Sequence, residues 1–191
     1  MQPACFALAA GLIAMPLVAG AQQIAIKGGL SYGTIPNNGG VLPGRLSAHS
    51  GFAFGVGVAS QKPIGFGLEG LYAQRGFNSS IAGSSQRFSY VDVPVYLKVT
   101  IPTPTVAPFL YAGPQGSFEL KCDGGGGACP SGQPKTTFAA IAGGGVKVGK
   151  RGGLSLEGRY VYGLTDLKLS TVTTLGNYKS RSFMLLAGIG F

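Results

Sequence analysis

Apolar residues recur at every second position through most of this chain, and that period leaves β-strands as the structure able to present them on one side. The last eleven residues, Arg181-Ser-Phe-Met-Leu-Leu-Ala-Gly-Ile-Gly-Phe191, show it most plainly. Counted back in twos, Phe191, Ile189, Ala187, Leu185 and Phe183 share one face, while Gly190, Gly188 and Ser182 share the other. Met184 and Leu186 blur that second face.

Earlier stretches repeat the alternation. Ile24, Ile26, Gly28, Leu30 and Tyr32 oppose Ala25, Lys27, Gly29 and Ser31; Phe52, Phe54, Val56 and Val58 oppose Gly51, Ala53, Gly55, Gly57 and Ala59. Phe66, Leu68 and Tyr72 oppose Gly67, Glu69, Ala73 and Arg75, and Val91 through Val99 in twos oppose Tyr90, Asp92, Pro94, Tyr96 and Lys98. Residues 107–120 are apolar on both faces, which leaves their register open, and 137–148 are rich in Gly and Ala with Lys147 as the charge. Leu154, Leu156, Tyr160, Tyr162 and Leu164 then oppose Ser155, Glu157, Arg159 and Thr165. These stretches and the terminal one predict eight strands.

Beyond residue 21 no run of about 18 apolar residues could cross a bilayer as a helix, although the mean hydropathy is +0.30. Apolar content is instead spread thinly. With 34 glycines, no Trp and 11% charged residues, the composition suits many short strands joined by turns. Connections 33–49, 76–87, 121–136 and 166–180 are long, whereas 61–63, 100–106 and 149–153 are shorter, so long and short ends fall on opposite rims. Ten residues per strand, at roughly 3.3 Å rise and a tilt near 40°, span roughly 25 Å, the height of a membrane barrel's apolar band. The expected fold is all-β: an eight-stranded antiparallel up-and-down transmembrane β-barrel over residues 22–191.

Residues 1–21 read as a signal peptide. Cys5 to Val18 is an almost unbroken apolar run, interrupted by Pro16, and Ala19-Gly20-Ala21 offers a small-x-small cleavage site before Gln22. The pattern departs from the usual one in having no Lys or Arg ahead of that run. Export would leave Cys122 and Cys129 in an oxidising compartment. Four consecutive glycines within Cys122-Asp-Gly-Gly-Gly-Gly-Ala-Cys129 let the backbone turn tightly enough to bring the sulfurs together, so a disulfide is expected.

A terminal strand that ends on an aromatic resembles the closing strand of bacterial outer-membrane β-barrels, whose end is read by the barrel-assembly machinery; the resemblance implies that role for Phe191. Tyr90-Val-Asp-Val-Pro-Val-Tyr-Leu-Lys98, Pro108-Phe-Leu-Tyr-Ala-Gly-Pro114, Gly143-Gly-Gly-Val146, Leu156-Glu-Gly-Arg-Tyr160 and Gly163-Leu-Thr165, in that order, look like the recurring segments of the PorT-like outer-membrane β-barrel family. That resemblance implies an eight-stranded barrel in the outer membrane of a Gram-negative bacterium, and no single activity.

Enzyme-like patterns are weak. Gly144-Gly-Val-Lys-Val-Gly-Lys150 nearly fits a phosphate-binding loop, but Arg151 stands where Ser or Thr would hold magnesium. Gly65-Phe-Gly-Leu-Glu-Gly70 lies within a strand with no helix after it, against a dinucleotide site. The sole histidine, His49, neighbours Ser47 and Ser50, which raises a lipid-modifying barrel hydrolase, yet no carboxylate nearby in sequence would orient the imidazole. Cys122 and Cys129 have only Asp123 as a local partner, too few for a metal. No catalytic, cofactor or metal residues are expected.

The inward-facing charges read as structure. A lumen of eight strands is filled by side chains, and Glu69, Asp92 and Glu157 can face Lys27, Arg75, Lys98, Lys147 and Arg159 there as one mutually neutralising network, with no open pore. The formal net charge is +9. Lys121, Lys135, Lys168, Lys179 and Arg181 lie in or beside the long connections, where lipopolysaccharide would attract them; no nucleic-acid motif accompanies the charge. The reading is a monomeric, non-enzymatic barrel with a structural or surface-interaction role. A soluble lipocalin-like carrier of a small apolar ligand would show the same alternation turned inside out.

Mass spectrometry of non-reduced peptides is expected to find Cys122 linked to Cys129. Two alkylatable thiols in protein taken from the cell envelope would exclude the bridge.

Overall fold

The computed structural model describes residues 22–34, 46–79, 84–125, 135–149, 153–167 and 178–191. Eight strands run in order: β1 (Gln22–Thr34), β2 (Leu46–Ser60), β3 (Ile64–Ser79), β4 (Ser84–Thr100), β5 (Val106–Gly125), β6 (Thr136–Val148), β7 (Leu154–Leu167) and β8 (Tyr178–Gly190). Each pairs antiparallel with the next, and β8 returns to pair with β1, from Ala25 opposite Gly190 to Thr34 opposite Arg181, closing the barrel. At the seam the Phe191 amide donates to the Ile24 carbonyl at 2.8 Å, and the Gly190 amide to that of Gly153 at 3.0 Å.

The outside of the barrel is greasy and the inside is polar. Phe66 and Leu110 are about 70% exposed, at 71% and 70%, whereas Arg159 is 0% exposed. Water would penalise that outer surface heavily; hydrocarbon would not. This orientation corrects the soluble-carrier alternative, which needs its apolar face inward. Phe52, Phe54 and Tyr72 form an outward aromatic cluster, with ring centroids 5.9 Å apart for the two Phe and 5.1 Å for Phe54 and Tyr72.

The geometry revises one expectation and resolves a register that the sequence left open. The stretches expected as long connections are partly strand: β3 and β4 stay paired out to Ser79 opposite Ser84, and β5 continues opposite β4 to Gly125. Polar residues such as Asn78, Ser79, Ser84, Ser85 and Gln86 carry this ladder onward, so apolar alternation no longer marks it. In β5 the open register resolves with Phe109, Tyr111, Gln115 and Ser117 buried and Leu110, Phe118 and Leu120 outward. The apolar part of the core comprises Leu71, Tyr96, Phe109, Tyr111, Ile141, Val161, Met184 and Leu186, with Ala53, Ala73 and Ala139. Met184 and Leu186 thus point into the lumen.

Bulky interior groups lie across positions that lack a Cβ. A methyl on Gly57 would sit 2.5 Å from Glu69 Cγ, and one on Gly143 2.5 Å from Tyr111 Cζ. At Gly55 an added Cβ would collide with the backbone of Gly70 and Leu71 on β3, which cannot swing aside, whereas at the outward Gly70 it would meet nothing. We therefore expect Gly55→Ala to cost about 1–3 kcal/mol, as overpacking does, and Gly70→Ala to be silent. Urea unfolding in detergent micelles checks both; equal midpoints for the two variants would contradict the close strand approach.

Candidate functional site

Period-two alternation on five strands sends their polar side chains to one place inside the barrel. Lys27 of β1, Glu69 of β3, and Glu157 and Arg159 of β7 form a closed quartet. Lys27 Nζ lies 2.7 Å from Glu69 Oε1 and 2.8 Å from Glu157 Oε2; Arg159 Nη2 lies 2.5 Å from Glu69 Oε2 and 2.9 Å from Glu157 Oε1. Each cation touches both anions. Tyr96 of β4 donates to Glu69 Oε1 at 2.6 Å and Tyr111 of β5 to Glu157 Oε1 at 3.2 Å, while Arg159 Nε donates to the Tyr111 hydroxyl at 2.9 Å. Burying one ion costs several kcal/mol, so the arrangement holds only because two positive and two negative groups meet and share neutral donors.

A second, separate pair lies between β3 and β4: the Arg75 guanidinium contacts the Asp92 carboxylate and stacks 5.3 Å from the Tyr90 ring. The charges expected as one network are therefore divided. Lys98 and Lys147 join neither group. Lys98 Nζ sits 4.9 Å from the Phe109 ring centroid, and Lys147 Nζ donates to Gln23 Oε1 at 2.6 Å. Both belong to the short-connection end of the lumen, and the register of β4 and β6 holds them away from Glu69 and Glu157. Sequence reasoning missed Gln23, Tyr96 and Tyr111 as partners. For Gln23 the signal was available, since it shares the parity of Ala25 and Lys27.

At the opposite rim, Lys121 pairs with Asp123 at 3.0 Å in the open. Lys179 Nζ and the Arg181 guanidinium carbon lie 5.5 and 5.6 Å from the Tyr162 ring. Lys135 is exposed, and Lys168 lies outside the described residues. His49 sits within β2 opposite Gly33 and Gly76, with its side chain outside the described residues. Cys122 stands opposite Phe88 on the β5 extension; Cys129 lies outside the described residues. Phe191 is exposed beside the seam. Among the described residues no three His, Cys, Asp or Glu side chains come together to hold a metal.

A family model described as "Outer membrane protein beta-barrel domain" matches residues 20–169. Among solved structures, the chain is similar to the outer membrane protein OprG from Pseudomonas aeruginosa, at 12% identity over 90% of this chain and 96% of that one, with a TM-score of 0.57. It is also similar to Neisserial surface protein A (NspA), at 16% identity over 90% of this chain and 98% of that one, with a TM-score of 0.54. No curated protein matches it in sequence. At these identities the likeness to solved structures speaks for the fold.

Removing Arg159 would leave Glu69 and Glu157 sharing only Lys27. We expect Arg159→Ala to lower stability by about 3–5 kcal/mol, read from unfolding in micelles, and Arg159→Met with Glu69→Gln to recover part of that loss because one cation leaves with one anion. An unchanged midpoint for Arg159→Ala would mean that these groups are solvated.

Proposed function

The chain belongs to the outer membrane protein β-barrel domain family, and from that premise we propose that it is a non-enzymatic barrel with a side-chain-filled lumen, working as a structural or surface-interaction element through its long-connection rim. It lies in the outer membrane of a Gram-negative bacterium, with its apolar belt in the lipid. The observation that carries the reading is the obstruction of the lumen: side chains from β1, β3, β4, β5 and β7 meet across it through the quartet and its two tyrosines. Leu71, Met184 and Leu186, at most 1% exposed, pack in the same core. An eight-stranded interior is only wide enough for such filling.

The non-enzymatic part is supported by how the interior acids are held. Glu69 and Glu157 are bound in the quartet and Asp92 by Arg75, so these three acids are engaged in structural pairs. The order of its motifs favours a PorT-like member of the family. On this reading residues 1–21 are removed on export, Phe191 is the end read by the barrel-assembly machinery, and the barrel remains a monomer. The Cys122 to Cys129 bridge would stiffen the β5–β6 connection at the rim. Lys179 and Arg181, gathered on Tyr162 at the same rim, suit the phosphates of lipopolysaccharide.

One set of recordings and binding measurements tests this. The folded protein in planar bilayers is expected to give no stable conductance, and Lys179→Gln with Arg181→Gln to leave that result unchanged while weakening binding of isolated lipopolysaccharide several-fold. A large, steady conductance would overturn the filled-lumen reading, and undiminished binding would overturn the rim assignment.

A further inference from the structure

The charges of the barrel are distributed unevenly along its axis. All six acids of the chain, Glu69, Asp92, Glu119, Asp123, Glu157 and Asp166, sit at mid-barrel or towards the long-connection rim. The short-connection end carries lysines alone among its described charged residues. Lys98 and Lys147 face the lumen there, and Lys62 lies in the exposed β2–β3 turn. The quartet above is balanced, which leaves Lys98 and Lys147 as two positive groups with no carboxylate in ion-pair contact.

Between them is space. A cavity of about 40 Å³, partly open to the outside, is lined by Gln23, Lys98, Lys147 and Ser155, with Lys27, Glu69 and Glu157 of the quartet also in its wall. A water needs roughly 10–15 Å³ by such a measure, so about three would fit, which is the room taken by one small tetrahedral oxyanion. The hydrogen-bonding character fits the same guest. Lys147 spends one donor on Gln23 Oε1, which engages the amide oxygen and leaves Gln23 Nε2 and two Lys147 protons to give. Lys98 rests on the Phe109 ring, an electrostatic contact that satisfies none of its N–H donors. Ser155 holds only a long 3.4 Å bond to the Gly188 carbonyl. Glu69 and Glu157 in its wall are neutralised by Lys27 and Arg159, so Lys98 and Lys147 leave the concavity with a net positive charge. That charge concentrates anions, and lysine is a compact cation well suited to phosphate.

We propose that this vestibule is an oxyanion site, entered from the short-connection, periplasmic side, which binds a phosphate group between Lys98 and Lys147 with Ser155 and Gln23 as further donors. The group is that of a free phosphate or of an anionic lipid headgroup at the rim, and the quartet is its floor.

The test uses the full barrel folded in phosphate-free amine-oxide micelles, titrated with inorganic phosphate at constant ionic strength made up with sodium chloride. The amide resonances of Gln23, Lys147 and Ser155 should shift to saturation with phosphate and not with chloride. Lys98→Met and Lys147→Met should each weaken the site about ten-fold, the loss of one hydrogen bond to a charged group, while Lys62→Met on the exposed turn changes it less than about two-fold. Saturation only when phosphatidylglycerol is mixed into the micelles would assign the phosphate to a lipid headgroup. Shifts that follow ionic strength alone, or the same affinity in the double lysine variant, would overturn the site. If a lysine variant fails to fold, as judged by loss of its heat-modifiable band, the wild-type comparison of phosphate with chloride still decides.

Discussion

Everything in this molecule follows from the need to pair backbone amides and carbonyls where no water can reach them. An unpaired peptide group in hydrocarbon costs several kcal/mol, so a sheet that spans a bilayer must have no edge. The pairing of β8 with β1 meets that demand, and the amide of Phe191 extends it one bond beyond the last strand. Once the sheet is closed, the two sets of alternate side chains have fixed addresses, one in lipid and one in the lumen.

The lumen then poses the opposite problem to an ordinary core. Its walls supply polar groups, and charges placed at mid-barrel, away from the open ends, must be matched because they cannot reach bulk water. Glu69 and Glu157 are each held by both Lys27 and Arg159, so removal of one member affects all three others. Space for these long side chains comes from the bare backbone at Gly57 and Gly143. Wall and filling are therefore one design: enlarging a wall residue displaces a charge.

Much of this could be read from the residues. The faces of β1 to β3 and β7 followed from alternation because apolar side chains lay on one side and small, polar or charged ones on the other, whereas in β8 Met184 and Leu186 on the inner face blurred it. In β5 the same rule was silent, since Phe109 and Tyr111 inside are as apolar by composition as Leu110 and Phe118 outside; what separates them is the Tyr111 hydroxyl and its partners Arg159 and Glu157. Strand ends were misplaced at Gly76 to Ser79 and Ser84 to Arg87, where the ladder runs on beyond the regular alternation. The list of interior charges came from parity, but their partition did not. Height around a sheared barrel depends on register, and register put Lys98 and Lys147 out of reach of the acids.

The balance within the quartet also bears on how the barrel responds to an electric field. A membrane potential does work on charge that moves through it, about 2.3 kcal/mol for each elementary charge per 100 mV. Two cations and two anions tied together at one depth carry no net charge, so the force on them as a unit cancels. A plug of that kind has no voltage sensor, and a potential across the membrane has no lever with which to displace it.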